Sequence, residues 1–387
     1  MRPLVLSLAV TAVAAAVVPA AAHALSAPET VSTSSYIVMT DGPAAPVLGL
    51  VRALGGDIGF VYASALDGFS VSLPAPSLPL LAALPGVVSV EADSTVRVSG
   101  TQSPVPSYGL DRIDQRALPL NGSLTTAATG AGVKAYVVDT GIRLDHDDFR
   151  GRVLSGFDAV DGGPADDCNG HGTHVAGTTA GTRFGVAKGA TLVAVRVLGC
   201  DGSGATSGVI AGVDFVASDH AAGQPAVANM SLGGGASAAL DAAVQGAITD
   251  GVSFAVAAGN SGGLIGDLTG QSNACNSSPA RVPAALTVGA TDERDAKASY
   301  SNKGTCVDLF APGTNITSDW STGPSATNTI SGTSMASPHV AGVAALFLQT
   351  SPGASPAQVS QQLITTSTPN VVTSPGAGSP NRLLFTK

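Results

Sequence analysis

Three short segments place an acid, a base and a nucleophile in a fixed order along the chain. Asp139 lies in the segment VVDTG, His171 in NGHGTH and Ser334 in GTSMASPH. A serine hydroxyl becomes an effective nucleophile when a neighbouring imidazole takes its proton. That imidazole needs a carboxylate that fixes its tautomer and stabilises its positive charge. Asp139, His171 and Ser334 are therefore candidates for acyl-transfer chemistry.

Two of these residues also have purely structural interpretations. Asp139 ends an apolar run and meets a Thr-Gly turn, where aspartate commonly caps the turn. Ser334 begins a predicted helix that runs toward Leu348, and serine is a common N-cap. A helix N-terminus also presents free N–H groups, so the same position can hold an oxyanion. Pro338 removes one donor from this helix and leaves the Ser334 carbonyl without a helical partner.

His171 has a competing interpretation as a metal ligand. His171 and His174 are one helical turn apart, which is the spacing of a metal-binding pair. No carboxylate follows one turn further along this predicted helix, so the pattern favours a general base. The helix is rich in glycine and alanine, and its glycines allow other groups to approach its backbone closely.

A second candidate nucleophile is Ser261, in the pentapeptide GNSGG. This matches the Gly-x-Ser-x-Gly elbow of α/β-hydrolases, whose histidine follows on a late loop. The one later histidine, His339, is instead five residues from Ser334 at a helix start. The pentapeptide also resembles the active-site loop of chymotrypsin-like proteases, but those are β-barrels and this chain has Ala-rich helical runs. Asn260 is better placed to donate to the oxygen of a tetrahedral intermediate, where one donor contributes ~3 kcal/mol.

Composition narrows the class of protein. The chain has 387 residues, of which 44% are hydrophobic and 12% charged, so it can bury a large core. Its formal net charge is −9 and its pI is about 4.9, with lysines and arginines scattered singly. This argues against a nucleic-acid partner, which needs clustered basic residues. The acidic balance suits an exported protein and offers oxygen ligands for calcium.

The N-terminus has the pattern of a secretory signal peptide. MRP is followed by an apolar run over residues 4–18 and by AHA over residues 22–24, a small-x-small cleavage pattern. A transmembrane anchor is the competing interpretation, but the run is short and no second long apolar stretch follows. We therefore expect a signal peptide over residues 1–24, export from the cell and no membrane anchor.

Four cysteines in an exported chain indicate two disulfides. The spacings lack the paired ligands of a structural zinc site, so disulfides are favoured over zinc. Four cysteines allow three connectivities, and the residues alone leave all three open. The cysteines are Cys168, Cys200, Cys275 and Cys306.

The pattern of apolar residues predicts two folded regions. Strands near 36–39, Phe60, 69–71 and 87–91 alternate with helices at 44–54 and 78–83, a βαββαβ order of ferredoxin-like type. A Ser/Thr/Pro-rich linker is expected over residues 99–107. Beyond it, strands at 133–138, 192–197, 227–230, 253–258 and 285–288 alternate with helices, which predicts a mostly parallel α/β sheet. Functional groups gather at the carboxyl ends of such strands.

The three catalytic segments resemble those of the subtilisin-like serine proteases. Within that family they are most similar to the proteinase K branch, especially its bacterial aqualysin-type members. The segments DTG, NGHGTHVAG and GTSMASPH occur in the family's order, and the resemblance covers nearly the whole exported chain. It implies a three-layer α/β fold and a secreted, monomeric endopeptidase. Asp139 would orient His171, His171 would act as base and then acid, and Asn260 with the Ser334 N–H would form the oxyanion hole.

The resemblance also implies how a substrate binds. The segment Gly202, Ser203 and Gly204 resembles one substrate-binding edge of the family's active site. An extended substrate would lie between this edge and a second strand, as the middle strand of a small sheet. A pocket of glycine and alanine without charge favours large apolar or aromatic residues before the cleaved bond. The second strand and the first pocket would comprise Ser231, Leu232, Gly233, Gly234, Gly235, Ala257, Ala258 and Gly259.

Residues 25–100 resemble the family's inhibitory propeptide, which templates folding and is cut away by the enzyme itself. The resemblance places the cut between Ser99 and Ser103, so that 101–387 form the catalytic domain. An appended binding domain is the alternative role of residues 25–100. Aqualysin-type members further imply Cys168–Cys200 and Cys275–Cys306 disulfides.

Structural calcium is also implied by the resemblance. One site would use the carbonyls of Pro283 and Ala285 with the Asp308 carboxylate. A second would use Asp111, Asp114, Gln115 and Asn121. These are oxygen ligands of the class that calcium prefers.

Two other functions stay open on the sequence. A protease-like scaffold could bind peptides without cleaving them, but the triad residues and Asn260 are all present. An esterase acting on small esters would share the same acyl-transfer chemistry.

Overall fold

A computed structural model describes residues 32–63, 67–93 and 100–387 of the chain. The chain divides into two compact units, within residues 1–96 and 97–387. The expected signal peptide over residues 1–24 lies outside the described residues. Within the described ranges, the helices are all too short or too polar to cross a membrane.

The first unit is a four-stranded antiparallel sheet with two short helices, in the strand order β2-β3-β1-β4. Its core contains Val38 from the first strand, Val51 from the first helix, and Phe69 and Leu73 from the third strand. The elements follow the βαββαβ order expected from the sequence. They are β1 (Thr33–Thr40), α1 (Ala45–Ala53), β2 (Asp57–Tyr62), β3 (Gly68–Pro74), α2 (Leu78–Ala82) and β4 (Val87–Ala92).

The second unit is built on a nine-stranded sheet in the order β18-β19-β15-β14-β12-β10-β7-β9-β8. All neighbours are parallel except the β18–β19 pair. The strands of this unit are β5 (Gly100–Gln102), β6 (Leu124–Thr126), β7 (Lys134–Asp139), β8 (Val153–Asp158), β9 (Thr191–Arg196), β10 (Ala226–Met230), β11 (Gly234–Gly235), β12 (Ser253–Ala257), β13 (Ser277–Ser278), β14 (Leu286–Thr291), β15 (Leu309–Pro312), β16 (Ile316–Asp319), β17 (Thr327–Ile330), β18 (Thr368–Pro369) and β19 (Arg382–Leu383).

Helices cover both faces of this sheet. The helices of this unit are α3 (Tyr108–Arg112), α4 (His171–Ala180), α5 (Thr206–Asp219), α6 (Ala238–Asp250), α7 (Leu264–Thr269), α8 (Thr333–Thr350) and α9 (Pro356–Thr366). Successive residues of β7 point to opposite faces: Val137 packs in the core with α4, α8 and α9, and Val138 packs in the core with α5 and α6. The expected three-layer α/β architecture with a mostly parallel sheet is confirmed.

The predicted linker over residues 99–107 is wrong in part. Gly100–Gln102 forms β5 and pairs antiparallel with β6, with Thr101 opposite Thr125. The composition of this stretch is typical of a linker, but strand pairing depends on a partner that is more than twenty residues away in sequence. The five strands predicted in the second unit are present as β7, β9, β10, β12 and β14, whereas the other four strands of the same sheet, β8, β15, β18 and β19, were not predicted.

Candidate active site

Asp139 is the last residue of β7 and is fully buried. Its Oδ1 accepts a hydrogen bond from the Thr140 backbone N–H at 2.8 Å and one from His171 Nδ1 at 2.7 Å. The chain then turns at Gly141, where φ is +101° and a Cβ would lie 2.8 Å from the carbonyl oxygens of Ala165 and Asp166. Only glycine fits this position, because both the backbone angle and the space exclude a side chain.

His171 is the first residue of α4, and its side chain is 26% exposed. Because Nδ1 donates to Asp139, the neutral ring is held as the tautomer whose free nitrogen is Nε2. Burial alone would lower the pKa of His171, but the charge of Asp139 and its hydrogen bond raise the pKa above its ordinary value. His171 can therefore accept a proton at Nε2 and hold it beside a carboxylate.

Asp167, which the sequence patterns did not single out, accepts hydrogen bonds from several groups at the start of α4. Asp167 is buried, and its Oδ1 accepts from the backbone N–H groups of Asn169 and Gly170, both at 2.9 Å. Its Oδ2 accepts from the N–H and hydroxyl of Thr173 at 2.9 and 2.6 Å. The signal available in the sequence was an aspartate just before a Gly-rich helix start, which is a common capping pattern.

Ser334 lies at the start of α8, as predicted, and exchanges two hydrogen bonds with Ser231. The Ser334 hydroxyl donates to the Ser231 carbonyl at 3.0 Å. The Ser231 hydroxyl donates to the Ser334 carbonyl at 2.7 Å, and so supplies the donor that Pro338 removes from the helix. Over the described ranges, no hydrogen bond joins Ser334 to His171.

Asn260 follows β12 and is oriented by the residue before Ser334. Its Oδ1 accepts from the Thr333 N–H at 2.8 Å and from the Thr333 hydroxyl at 2.9 Å. Because the oxygen is held in this way, the amide nitrogen is the end that remains available as a donor. Asn260 and Ser334 line the same cleft.

Two clefts meet along the segment 231–235. The first has a volume of about 560 Å³ and contains Asn260 and Ser334. The second has a volume of about 440 Å³ and contains His171 with Gly202, Ser203 and Gly204. Every predicted substrate-binding residue lines one of these clefts. The ones in the first cleft are Ser231, Leu232, Gly233, Gly234, Gly235, Ala257, Ala258 and Gly259.

Both clefts are also lined by residues that the sequence patterns did not single out. The first is also lined by Thr269, Gly270, Gln271, Asn276, Ser277, Ala280, Asn302 and Thr333. The second is also lined by Leu198, Thr206, Val209, Ser237, Leu240 and Ser278. β11 pairs antiparallel with β13, which brings Ser277 and Ser278 against Gly234 and Gly235.

The two disulfides are Cys168–Cys200 and Cys275–Cys306, the pairing that the resemblance implied. The first joins the loop before His171 to the loop that carries Gly202. Asn169 strengthens this junction by donating its side-chain N–H to the Cys200 carbonyl at 2.9 Å. The cross-link therefore connects the base with one wall of the second cleft.

The first set of expected calcium ligands lies together. Pro283, Ala285 and Asp308 line one cavity. Asp308 Oδ2 accepts from the Thr287 N–H at 2.8 Å, and burial raises the pKa of Asp308 to about 6. A half-buried carboxylate at a cavity fits a calcium ion, because the ion would offset the cost of burying the charge.

The second set fits calcium less fully. Asp114 Oδ1 is buried without a hydrogen-bond partner within the described part of the chain, and burial followed by the charge of Asp111 raises the pKa of Asp114. Asp111 accepts instead from the N–H groups of Asn121 and Gly122. The Asn121 side-chain oxygen accepts from Ser123, and the Gln115 amide donates to two loop carbonyls. In the described ranges, no three His, Cys, Asp or Glu side chains group as a metal site.

The Subtilase family profile matches residues 130–383, which include all three residues of the candidate triad. This chain belongs to the subtilase family. The subtilase is 55% identical over 351 residues to the extracellular serine proteinase of Thermus sp. (strain Rt41A), a match that covers 90% of this chain and 83% of that protein. It is 50% identical over 331 residues to alkaline serine exoprotease A of Vibrio alginolyticus, covering 84% of this chain and 59% of that protein.

A solved structure supports the same assignment. The crystal structure of a cold adapted subtilisin-like serine proteinase is 54% identical, with a TM-score of 0.68, and the match covers 74% of this chain and 99% of that one. The subtilase is thus a serine endopeptidase with the α/β fold of its family.

Proposed function

We propose that this subtilase is a secreted endopeptidase that cleaves polypeptides through Asp139, His171 and Ser334. The observation that carries the proposal is the 2.7 Å contact between His171 Nδ1 and the buried Asp139 carboxylate, at a cleft that adjoins the one containing Ser334. A histidine held in this way has its second nitrogen free to take a proton. The chain's acidic composition and the extracellular naming of its Thermus relative support export.

The first step is attack by Ser334 on the substrate carbonyl. The Ser334 hydroxyl exchanges its hydrogen bond to Ser231 for one to His171 Nε2, a change expected as a substrate enters because apo sites are often loosely aligned. As the new C–O bond forms, the serine proton passes to Nε2 and the carbonyl becomes an oxyanion. Asp139 stabilises the resulting imidazolium without itself taking the proton.

The oxyanion is stabilised by Asn260 and by the Ser334 backbone N–H. The Asn260 side-chain oxygen already accepts hydrogen bonds from Thr333. The Asn260 side-chain N–H group is therefore pre-oriented and needs no reorganisation during the reaction. The oxyanion then collapses, the C–N bond breaks and His171 protonates the leaving amine. Water, deprotonated by His171, attacks the acyl-enzyme, and the proton returns to Ser334 as the acid product leaves.

We infer a broad specificity with a preference for apolar or aromatic residues before the cleaved bond. The first cleft is lined by small and neutral residues, such as Gly233, Ala257 and Ala258, which leave room for a large uncharged side chain. The segments 202–204 and 231–235, which line the second cleft together with His171, are rich in glycine. They suit binding of a substrate through its backbone as an added strand.

We further propose that residues 1–24 are a signal peptide and residues 25–100 an inhibitory propeptide that the enzyme removes. The first unit exposes several large apolar side chains, including Phe60 (76%) and Val88 (63%), as a module that binds another surface would. The cut between Ser99 and Ser103 would leave a mature N-terminus at β5, which is paired with β6. We expect the mature enzyme to be a monomer.

Structural calcium is part of the proposal. Pro283, Ala285 and Asp308 would hold one ion, and Asp111 and Asp114 with Gln115 and Asn121 are the candidates for a second. A bound ion would supply positive charge that stabilises these carboxylates in the folded state, and it takes no part in the chemical steps. Chelation should therefore lower Tm, and excess calcium should restore it.

The proposal is tested with the full-length chain and its Ser334→Ala variant, followed by size and N-terminal sequencing during folding and then by casein hydrolysis. The wild type should shorten near Gly100 and cleave casein, and Ser334→Ala should do neither. Ser351→Ala, at the other end of α8, is the matched control and should behave like the wild type. Casein hydrolysis by Ser334→Ala at the wild-type rate would refute the assignment of the nucleophile.

A further inference from the structure

A short helix, α7, carries two leucines that are almost fully exposed. Leu264 is 76% exposed and Leu268 is 78% exposed. Among the described side chains of the second unit, they are the most exposed large apolar ones, and the next is Leu154 at 51%. Leu264 and Leu268 are four residues apart, so they lie on one face of the helix. Single exposed leucines are common, but two on one face form a small apolar surface.

This surface lies at the first cleft. The residues directly after Leu268, namely Thr269, Gly270 and Gln271, line the cleft that also contains Ser334 and Asn260. With a rise of 1.5 Å per residue, Leu264 is only about 6 Å further along the helix than Leu268. The two leucines therefore lie on the helix that leads directly into this part of the cleft wall.

Several contacts hold α7 in place. Asp267 Oδ1 forms an ion pair with Lys303 at 2.8 Å and accepts from the Ser272 hydroxyl at 2.5 Å. Before the helix, the Gly262 N–H donates to the Tyr300 carbonyl at 2.7 Å. After it, the Cys275–Cys306 disulfide fastens the chain. A surface fixed in this way loses little conformational entropy when a ligand binds to it.

The cleft itself offers little large apolar surface. Among the described residues that line it, Leu232 is the one large aliphatic side chain, and the rest are small or polar, such as Asn276 and Gln271. A large apolar side chain in this cleft would therefore gain additional burial from leucines at the mouth.

We propose that Leu264 and Leu268 form an apolar rim of the first cleft that contacts a large apolar side chain of a polypeptide substrate. This inference rests on the proposed endopeptidase function and adds two specificity-determining residues to it. The rim selects substrates with a large apolar residue before the cleaved bond over substrates with a small one. It acts through apolar burial in the bound complex, so it changes KM more than kcat.

The test uses the mature enzyme and two anilide peptides that differ only in Phe or Ala before the cleaved bond. In Leu264→Ala/Leu268→Ala, kcat/KM for the Phe peptide should fall about fivefold, mainly through KM, and kcat/KM for the Ala peptide should change less than twofold. Alanine preserves the helix because its helix propensity is high. The matched control is Leu118→Ala/Leu154→Ala, which truncates two exposed leucines that do not line the cleft and should leave both peptides unchanged.

An unchanged Phe-to-Ala ratio in the folded rim variant would overturn the inference, as would an equal loss on both peptides. If the alanine variant does not fold, Leu264→Gln/Leu268→Gln, which keeps side-chain length but removes apolar surface, should show the same loss for the Phe peptide. If the wild type cleaves neither peptide, both the proposed endopeptidase function and the proposed apolar rim are refuted. If the wild type cleaves both peptides and the rim variant has the same Phe-to-Ala ratio of kcat/KM, the proposed apolar rim alone is refuted.

Discussion

The two ends of helix α4 each adjoin a buried aspartate, and the two aspartates have opposite surroundings. At the start of the helix, Asp139 Oδ1 accepts from Thr140 and His171, although Oδ2 has no partner among the described residues. Near its other end, Asp319 lies against Gly177 and is 1% exposed. Over the described ranges, neither carboxylate oxygen of Asp319 accepts a hydrogen bond.

These surroundings affect two different titratable groups. The charge of Asp139 raises the pKa of His171 against the effect of burial. Burial, followed by the charge of Asp148, raises the pKa of Asp319 to about 9. As a neutral acid, Asp319 can donate to the adjacent Asp148 carboxylate, whereas His146 Nδ1 lies 3.7 Å away, which is long for a hydrogen bond. Burial raises the pKa of Asp319, whose oxygens accept no hydrogen bond among the described residues, whereas Thr140 and His171 donate to Asp139.

The largest difference between the two ends should appear in catalysis. Asp139→Asn keeps the shape of the side chain but no longer stabilises the imidazolium or holds the correct tautomer, so kcat should fall about 10⁴-fold. Asp319→Asn should leave kcat within twofold, because Asp319 adjoins the far end of the helix. Steady-state hydrolysis of one peptide by both variants measures the contrast, and similar losses would show that the two ends are not functionally distinct.

Asp167 should show an intermediate effect as a positioning residue. Asp167→Ala removes the acceptor for the N–H groups of Asn169 and Gly170, which loosens the start of α4, and kcat should fall about 10²-fold. Its charge also helps to raise the pKa of His171, so the acid limb of kcat/KM should move to lower pH. Loss of activity without a shift of the pH profile would mean that Asp167 acts only on folding.

Asp319 should affect stability and its pH dependence. Its folded pKa, about 9, lies above the ordinary value of 3.8, so the neutral acid stabilises the fold fully below pH 3.8. This stabilisation is lost as pH rises toward 9. Asp319→Asn should thus gain stability relative to the wild type as pH rises from 3.8 toward 9. Denaturant unfolding at several pH values measures the gain, and a pH-independent difference would exclude a buried neutral acid.

The smallest expected effect is the position of the acid limb in the wild type. Protonated His171 cannot take the serine proton, so activity is lost as pH falls through the pKa of His171. Because that pKa is raised, the midpoint of kcat/KM should lie above the ordinary 6.5. A pH–rate profile on a neutral peptide gives the midpoint directly, and a value below 6.5 would contradict the dominance of Asp139 over burial.

Local patterns predicted the elements that carry the candidate site. Asp139 could be placed at a strand end because an apolar run stops at a Thr-Gly turn, and the structure has β7 ending there. Ser334 could be placed at a helix start, and α8 begins one residue before it. These features depend on neighbouring residues, which is why periodicity and turn chemistry were sufficient.

Features that depend on distant partners were missed. The linker-like composition of residues 100–102 gave no sign of their pairing with β6. Thr269 and Gln271 belong to the first cleft only because α7 is fastened there through Lys303 and Tyr300. No spacing rule connects such residues with Ser334.

The order of the candidate acid, base and nucleophile and the alternation of strands and helices can be read from the residues alone, because each is a local chemical pattern. Tertiary structure decided the raised pKa of Asp319, the orientation of Asn260 by Thr333 and the exposure of Leu264 and Leu268 on the helix before Thr269. Each of these depends on burial and on hydrogen-bond donors contributed by segments far apart in sequence. Solvent exclusion and partner geometry exist only once the chain has folded.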